Sequence, residues 1–148
     1  MTRHVEQPEI PDPFFGTWVL DPTQSVYEAG LPPQSGTYRI DPDGESLKFT
    51  MEWVAANGQH HEMGYFTIPD GNEYPYENPA VTDAISTTRI DAHRMDTVSK
   101  KNGRIIAIGS RVLSADGTTM MVTQTSIGEN GQRYNNSSVY TKRGEQSR

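Results

Sequence analysis

Pairs of Asn or Asp followed by Gly recur along this chain, and they limit what it can fold into. Such a pair adopts the positive φ angles that a tight turn between antiparallel strands requires. The intervening segments have strand length and are rich in Thr, Val, Ile, Tyr and Met. The chain contains six of these pairs: Asp43-Gly44, Asn57-Gly58, Asp70-Gly71, Asn102-Gly103, Asp116-Gly117 and Asn130-Gly131.

The turns and the segments between them predict an all-β fold. Only the short segment from Pro22 to Gly30 has a pattern compatible with a helix. A meander of about ten strands avoids exposed edges best by closing on itself. We therefore predict a closed up-and-down antiparallel β-barrel of about 8–10 strands, with an internal cavity for one ligand. The predicted strands are residues 15–21, 36–41, 46–56, 59–67, 72–76, 83–90, 94–101, 104–114, 118–126 and 132–142.

Length and composition suit one domain of this kind. The chain has 148 residues, of which 33% are hydrophobic, with 13 Gly and 10 Pro, a balance typical of a turn-rich β-protein. No internal repeat and no change of composition divides it. We expect an irregular lead-in at residues 1–13, a single barrel domain at 14–143 and a flexible tail at 144–148.

Charge and motifs exclude several classes of function. The net charge of −6 argues against nucleic acid and anionic membrane surfaces as partners. No segment approaches the roughly 18 apolar residues of a membrane span, so membrane insertion is not expected. The N-terminus lacks the apolar segment of a secretory signal, which makes the cytoplasm the expected location. The absence of Cys removes disulfides and thiolate chemistry, and no nucleotide-binding motif is present, so no cofactor is predicted.

The turn at Asn57-Gly58 predicts which side chains face the interior. A two-residue turn there would pair residues whose numbers sum to 115. Phe49, Met51 and Trp53 alternate with polar residues, so their face is predicted to be the inner one. His60 and Glu62 would then point inward beside Trp53, and His61 outward. The predicted pairs on this face are Trp53 with Glu62, Ala55 with His60, Met51 with Gly64 and Phe49 with Phe66.

The turn at Asp116-Gly117 predicts a second set of pairs, with residue numbers that sum to 233. It places Arg111 opposite Val122 and Leu113 opposite Met120. If this face is internal, Arg111 is a buried cation that needs an anionic partner. The candidates are Glu62, Asp96 and a ligand carboxylate. The alternative inner face is nearly as apolar, and it consists of Ile106, Ile108, Val112 and Met121.

The opening segment Phe15-Gly16-Thr17-Trp18-Val19-Leu20-Asp21 looks like the G-x-W first strand of lipocalins and fatty-acid-binding proteins, the calycin superfamily. The remainder is similar to a bacterial group of lipocalin-like proteins of mostly unassigned function. The resemblance covers about residues 14–143 and implies a closed barrel with a cavity, in which Trp18 closes one end. The further matching motifs are Asn57-Gly58-Gln59, Pro69-Asp70-Gly71 with Tyr74-Pro75, Arg104 to Gly117, and Val139-Tyr140-Thr141-Lys142.

Two departures from that resemblance bear on function. The R-x-Y motif by which fatty-acid-binding proteins hold a lipid carboxylate is here Ser138-Val139-Tyr140, so the tyrosine matches and the arginine does not. The segment Pro22 to Pro33 is too short for their helix-turn-helix lid. Both departures argue against a plain fatty-acid carrier.

Two functions of different class remain open. The first is binding of a small, largely hydrophobic molecule inside the barrel. The second is a cofactor-independent enzyme, such as a cyclase, isomerase, hydratase or lyase, that acts on a hydrophobic metabolite. In an enzyme, His60 and Glu62 would transfer protons, or Tyr140 would donate a hydrogen bond. The candidate ligand-binding residues are Phe49, Met51, Trp53, Phe66, Tyr74, Arg111, Met120 and Val122.

Each candidate also has a structural interpretation. His60 and Glu62 could form an interior hydrogen-bonded pair without chemistry, or lie near the rim in water. A shared metal ion is not expected, because His60 and His61 are neighbours in a strand and point to opposite faces. An interaction module that uses the outer face has no sequence signature. We expect a monomer or a homodimer.

Overall fold

The computed structural model describes residues 12–28, 30–76 and 82–143, and these residues form an all-β fold. All ten predicted strands are present, with bounds that differ by a few residues. Most of the predicted lead-in (residues 1–11) and the predicted tail at 144–148 lie outside the described residues. The strands are β1 (Gly16–Tyr27), β2 (Ser35–Asp43), β3 (Ser46–Val54), β4 (His60–Thr67), β5 (Asp70–Pro75), β6 (Ala84–Asp91), β7 (Arg94–Lys101), β8 (Arg104–Leu113), β9 (Thr119–Ile127) and β10 (Arg133–Lys142).

The strands form one antiparallel sheet that curls into a nearly closed barrel. Their order is β4-β3-β2-β1-β10-β9-β8-β7-β6-β5, so β1 pairs with both β2 and β10. The two ends of the sheet, β4 and β5, meet without a shared ladder, and we call this junction the seam. Tyr65 and Tyr76 contact each other edge to face near the seam, with ring centroids 6.0 Å apart. The predicted fold class is therefore confirmed.

Strand β1 is longer than predicted, and the possible helix at Pro22 to Gly30 is wrong. The chain bulges between Asp21 and Val26 and then pairs with β10 again. The Asp21 carboxylate accepts hydrogen bonds from the backbone and hydroxyl of Thr23, which supports the bulge. Val26 and Tyr27 then align with Ser137 and Asn136, as β-branched and aromatic residues favour. Ala29 lies outside the described residues, and none of the described residues belongs to a helix long and apolar enough to cross a membrane.

A solid apolar core fills one half of the barrel, and we call it the closed-end core. Trp18 lies at its centre, fully buried, and the indole nitrogen donates a 3.0 Å hydrogen bond to the carbonyl of Phe14. Nζ of Lys142 lies 5.2 Å from the Trp18 ring centroid. Trp18 therefore closes this end, as the family resemblance implies. The closed-end core comprises Phe14, Trp18, Tyr38, Ile40, Leu47, Phe49, Met95, Leu113 and Met120.

The β8–β9 hairpin has the predicted register. Arg111 pairs with Val122 and Leu113 with Met120, and this face is internal, since Arg111 and Met120 are buried. The loop has four residues, because Ser114 donates its backbone hydrogen bond to Thr119. Its even length preserves the pairing that a two-residue turn would produce.

The predicted register of the β3–β4 hairpin is wrong by one residue. Gly58 donates to the carbonyl of Ala55, and Ala55 donates to Gln59, so the loop has three residues instead of two. Only Gly58 of the Asn-Gly pair has a positive φ, at +89°, as in a type I turn followed by a left-handed glycine. Since side chains alternate with a period of two, this shift exchanges the two faces of β4.

The corrected register moves every β4 residue that the sequence analysis singled out. Trp53 aligns with His61, and Val54 with His60. Glu62 aligns with Glu52 on the outer face. Phe49 aligns with Tyr65 instead of Phe66. Phe66 is 52% exposed, and its ring centroid lies 5.6 Å from Nζ of Lys48.

Candidate functional site

A cavity of about 430 Å³ occupies the half of the barrel beyond the closed-end core. Strands β1 to β4 contribute an apolar wall that includes Leu20, Met51, Trp53 and Met63. The connection between β1 and β2 contributes Leu31, which is 76% exposed and marks the mouth. Side chains therefore fill one half of the barrel and leave a cavity in the other half.

Arg111 lies where the cavity meets the closed-end core. Its Nε donates a 2.5 Å hydrogen bond to the hydroxyl of Tyr38, and its Nη2 donates one of 2.9 Å to the hydroxyl of Tyr65. The guanidinium carbon lies 4.4 Å from the Phe49 ring centroid, within cation–π distance. Only 6% of Arg111 is exposed, and Nη1 has no hydrogen-bond partner among the described residues.

The acidic protein partners predicted for Arg111 are wrong. Glu62 is on the outer face, aligned with Glu52. Asp96 accepts hydrogen bonds from Arg94 and Ser110 instead. Arg111 is therefore a buried cation held by hydroxyl groups and aromatic rings. Of the three anionic partners predicted for it, only a ligand carboxylate is compatible with this geometry.

The electrostatics of the site keep Arg111 charged and Tyr38 and Tyr140 neutral. Burial opposes the charge of Arg111, but interactions with Tyr38 and Tyr65 raise its pKa above the ordinary value. Burial also raises the pKa of Tyr38, and it raises the pKa of Tyr140 to about 12. At neutral pH the site therefore presents one cation and hydroxyl groups that can donate hydrogen bonds.

The predicted ligand-binding residues separate into two groups. Met51, Trp53, Arg111 and Val122 line the cavity, and their role in binding stays a prediction. The other four do not line it: Phe49 and Met120 belong to the closed-end core, Phe66 is on the outer face, and Tyr74 donates a 2.7 Å hydrogen bond to Asp70 on β5.

The predicted catalytic residues are not brought together. His60 and Glu62 are exposed and lie outside the cavity, because the hairpin register places them on the outer face. Of the three, only Tyr140 lines the cavity, where its ring meets that of Tyr38 edge to face at 5.5 Å. His61 shares the face of Trp53 but remains exposed at the rim.

The sequence analysis missed the two tyrosines that hold Arg111. Tyr38 alternates with Gly36 and Ile40 on the inner face of β2, and that alternation was the available signal. Tyr65 could have been found only with the correct β3–β4 register.

No protein-family profile and no curated protein sequence matches the chain. Solved structures do match it. The zebrafish ileal bile acid-binding protein in complex with cholic acid is similar at 13% identity, over 88% of this chain and 99% of that one, with a TM-score of 0.53. The bovine odorant-binding protein with its natural ligand is similar at 12% identity, over 97% of this chain and 79% of that one, with a TM-score of 0.50.

A second structure of the bovine protein, with a selenium-containing odorant, is similar at 10% identity over 98% of this chain and 80% of that one, with a TM-score of 0.50. At such low identity the likeness concerns the fold alone. The alignments extend over most of the ten-stranded sheet described above. The chain therefore has the lipocalin-like β-barrel fold that the sequence resemblance implied.

Proposed function

We propose that this chain binds a small, largely apolar molecule in the barrel cavity, with an anionic or hydrogen-bond-accepting group directed at Arg111. The observation that carries the proposal is the buried Nη1 of Arg111, a charged donor without a partner among the described residues. A buried donor left unsatisfied costs about 1–3 kcal/mol, and more when it is charged. A ligand group that displaces the side chains covering Nη1 and supplies an acceptor would remove that cost.

The rest of the cavity supports an apolar ligand. Its volume of about 430 Å³ is within the range of roughly 300–1,000 Å³ that is typical of ligand pockets. Leu20, Met51, Trp53 and Met63 supply apolar area on one wall. The structurally similar zebrafish protein was solved with cholic acid, and the bovine protein with its natural ligand and with a selenium-containing odorant, which supports the same kind of use for this barrel.

Arg111 compensates for the missing arginine of the R-x-Y motif. The motif position on β10 is Ser138, but Arg111 on β8 carries a guanidinium into the same interior that Tyr140 lines. Charge-assisted hydrogen bonds of this kind are roughly twice as strong as neutral ones. A carboxylate, sulfonate or phosphate at the end of an apolar body fits this arrangement.

The test is a fluorescence titration with two probes of similar aromatic bulk. The anionic probe 8-anilinonaphthalene-1-sulfonate is expected to bind at least about tenfold more tightly than the neutral N-phenyl-1-naphthylamine. Arg111→Met is expected to remove that preference. Arg94→Met, which removes an exposed arginine on the outer face of β7, is expected to keep it.

Equal binding of the two probes by the unaltered protein would contradict the proposal, and this comparison needs no variant. Absence of binding by both probes would contradict it as well. The same titration on Arg111→Met shows whether the preference comes from this cation or from elsewhere on the surface.

The enzymatic alternative gains no support from this geometry. It depended on proton transfer by His60 and Glu62, and both lie outside the cavity. Tyr140 lines the cavity, but a hydrogen-bond donor serves a bound ligand as well as a reacting one. Binding is therefore the function proposed.

A further inference from the structure

Residues aligned through the ladders of neighbouring strands form a largely polar row along the cavity wall. The ladders align Thr97 of β7 with Gly109 of β8, and Gly109 with Gln124 of β9. They continue from Gln124 to Asn136 of β10, and from Asn136 to Tyr27 at the end of β1. All five border the cavity, and we call them the polar row. Half of the ten strands therefore contribute a residue to this row.

The opposite half of the circumference carries apolar side chains, apart from the hydroxyl groups of Tyr38 and Tyr65 beside Arg111. Leu20, Met51, Trp53 and Met63 line it from β1, β3 and β4. In a barrel with this strand order, β3 and β4 face β8 and β9 across the interior. Arg111 demonstrates this, because its side chain starts on β8 and contacts residues of β2, β3 and β4. The cavity thus has two unlike walls that face each other.

Two side chains of the polar row, those of Thr97 and Gln124, are available to a ligand. Thr97 and Gln124 make no side-chain hydrogen bond to any other residue in the described part of the chain. Gly109 keeps the middle of the row open, because a Cβ there would come within 2.9 Å of the Thr123 carbonyl and 3.1 Å of the Thr97 hydroxyl. A glycine inside a strand often marks a place where a ligand approaches the backbone closely.

We infer that the ligand is facially amphipathic: a flat, largely apolar skeleton with hydroxyl or carbonyl groups along one face. This inference rests on the proposed function and narrows its ligand class. A wholly apolar chain would remove water from Thr97 and Gln124 without replacing it, and a site built to hydrogen-bond a ligand rejects an analogue that cannot do so. A molecule with two unlike faces matches both walls and can still direct an acidic end to Arg111.

Two steroid acids that differ only at one hydroxyl group test this inference. Chenodeoxycholate carries its two hydroxyl groups on the same face of the ring system, whereas its epimer ursodeoxycholate carries one on each face. Below their micellar concentrations, each is used to displace 8-anilinonaphthalene-1-sulfonate. We expect chenodeoxycholate to bind at least about fivefold more tightly, as one or two neutral hydrogen bonds allow.

Gln124→Leu is expected to reduce this preference below about twofold, and Thr97→Val to reduce it partly. The matched control is Gln132→Leu, the same chemical change in the exposed β9–β10 turn, which is expected to leave the preference intact.

Equal affinity for the epimers, or a preference that survives in both cavity variants, would overturn the inference. Those results leave the proposed function standing as long as the sulfonate probe binds in an Arg111-dependent way. Loss of that dependence would instead overturn the proposed function itself.

Discussion

Trp53 and His61 stack across the β3–β4 ladder, with ring centroids 5.3 Å apart and ring planes inclined by 21°. Trp53 lines the cavity, whereas His61 is exposed at the rim. The indole therefore belongs both to the cavity wall and to the mouth. The other tryptophan, Trp18, is fully buried at the opposite end of the barrel.

The two tryptophans should differ in their access to a neutral quencher. We expect acrylamide to quench the fluorescence of Trp53 and to have little effect on Trp18, because only Trp53 borders open space. Stern–Volmer measurements on Trp53→Phe and Trp18→Phe separate the two contributions. Strong quenching that persists in Trp53→Phe would show that the closed-end core is more open than described.

Truncation of the two tryptophans should have unequal effects on stability. Trp18→Ala empties the centre of the closed-end core and is expected to lower the free energy of unfolding by about 3–5 kcal/mol. Trp53→Ala extends an existing cavity, so its cost is expected to stay below about 2 kcal/mol. Chemical denaturation followed by circular dichroism measures both. Equal losses would contradict the division into a core half and a cavity half.

Stability should fall at alkaline pH through the buried tyrosines. Burial raises the pKa of Tyr140 from 10.0 to about 12, so the folded state keeps this proton where the unfolded state has lost it. Its contribution is fully present below pH 10 and is lost as the pH rises toward about 12. In urea denaturation between pH 9 and 12, the free energy of unfolding should decline less steeply for Tyr140→Phe than for the unaltered protein. Parallel pH curves for the two proteins would refute this role of Tyr140.

The Asn-Gly turns should respond differently to the loss of Asn. Asn102 has a φ of +54°, which only Gly and Asn adopt at small cost, whereas Asn57 has an ordinary φ and accepts a 3.0 Å hydrogen bond from the backbone of Gln59. Asn102→Ala is expected to cost about 1–2 kcal/mol and Asn102→Gly close to nothing.

Asn57→Ala should cost less than Asn102→Ala, since it removes one exposed hydrogen bond and no backbone preference. Thermal denaturation of the three variants supplies the comparison. A larger loss at Asn57 than at Asn102 would mean that the β3–β4 turn has the two-residue geometry after all.

These turns also show how far sequence reasoning could reach. The strands were predictable because β-branched and aromatic segments end at Gly residues that need positive φ. Whether each loop has an even or an odd number of residues was not predictable. Asn57-Gly58 and Asn102-Gly103 are the same dipeptide, yet they differ in backbone geometry. One residue of loop length decides whether His60 or His61 shares the face of Trp53.

Arg111 illustrates the limit at the site. The predicted register of the β8–β9 hairpin gave its pairing with Val122, but it left open which face of the hairpin is internal. Its partners did not follow, because Tyr38 and Tyr65 lie 73 and 46 residues away along the chain. Contacts across a barrel interior depend on closure and curvature, which local sequence patterns do not encode.

The seam has a mechanical consequence. Every other pair of neighbouring strands in the barrel is joined by a hydrogen-bonded ladder, so widening the wall there breaks several backbone bonds at once. Parting β4 from β5 breaks none of these ladders, and it separates mainly side-chain contacts such as that of Tyr65 with Tyr76. For a ligand somewhat larger than the empty cavity, we therefore expect β4 and β5 to move apart at the seam while the other strands keep their pairing.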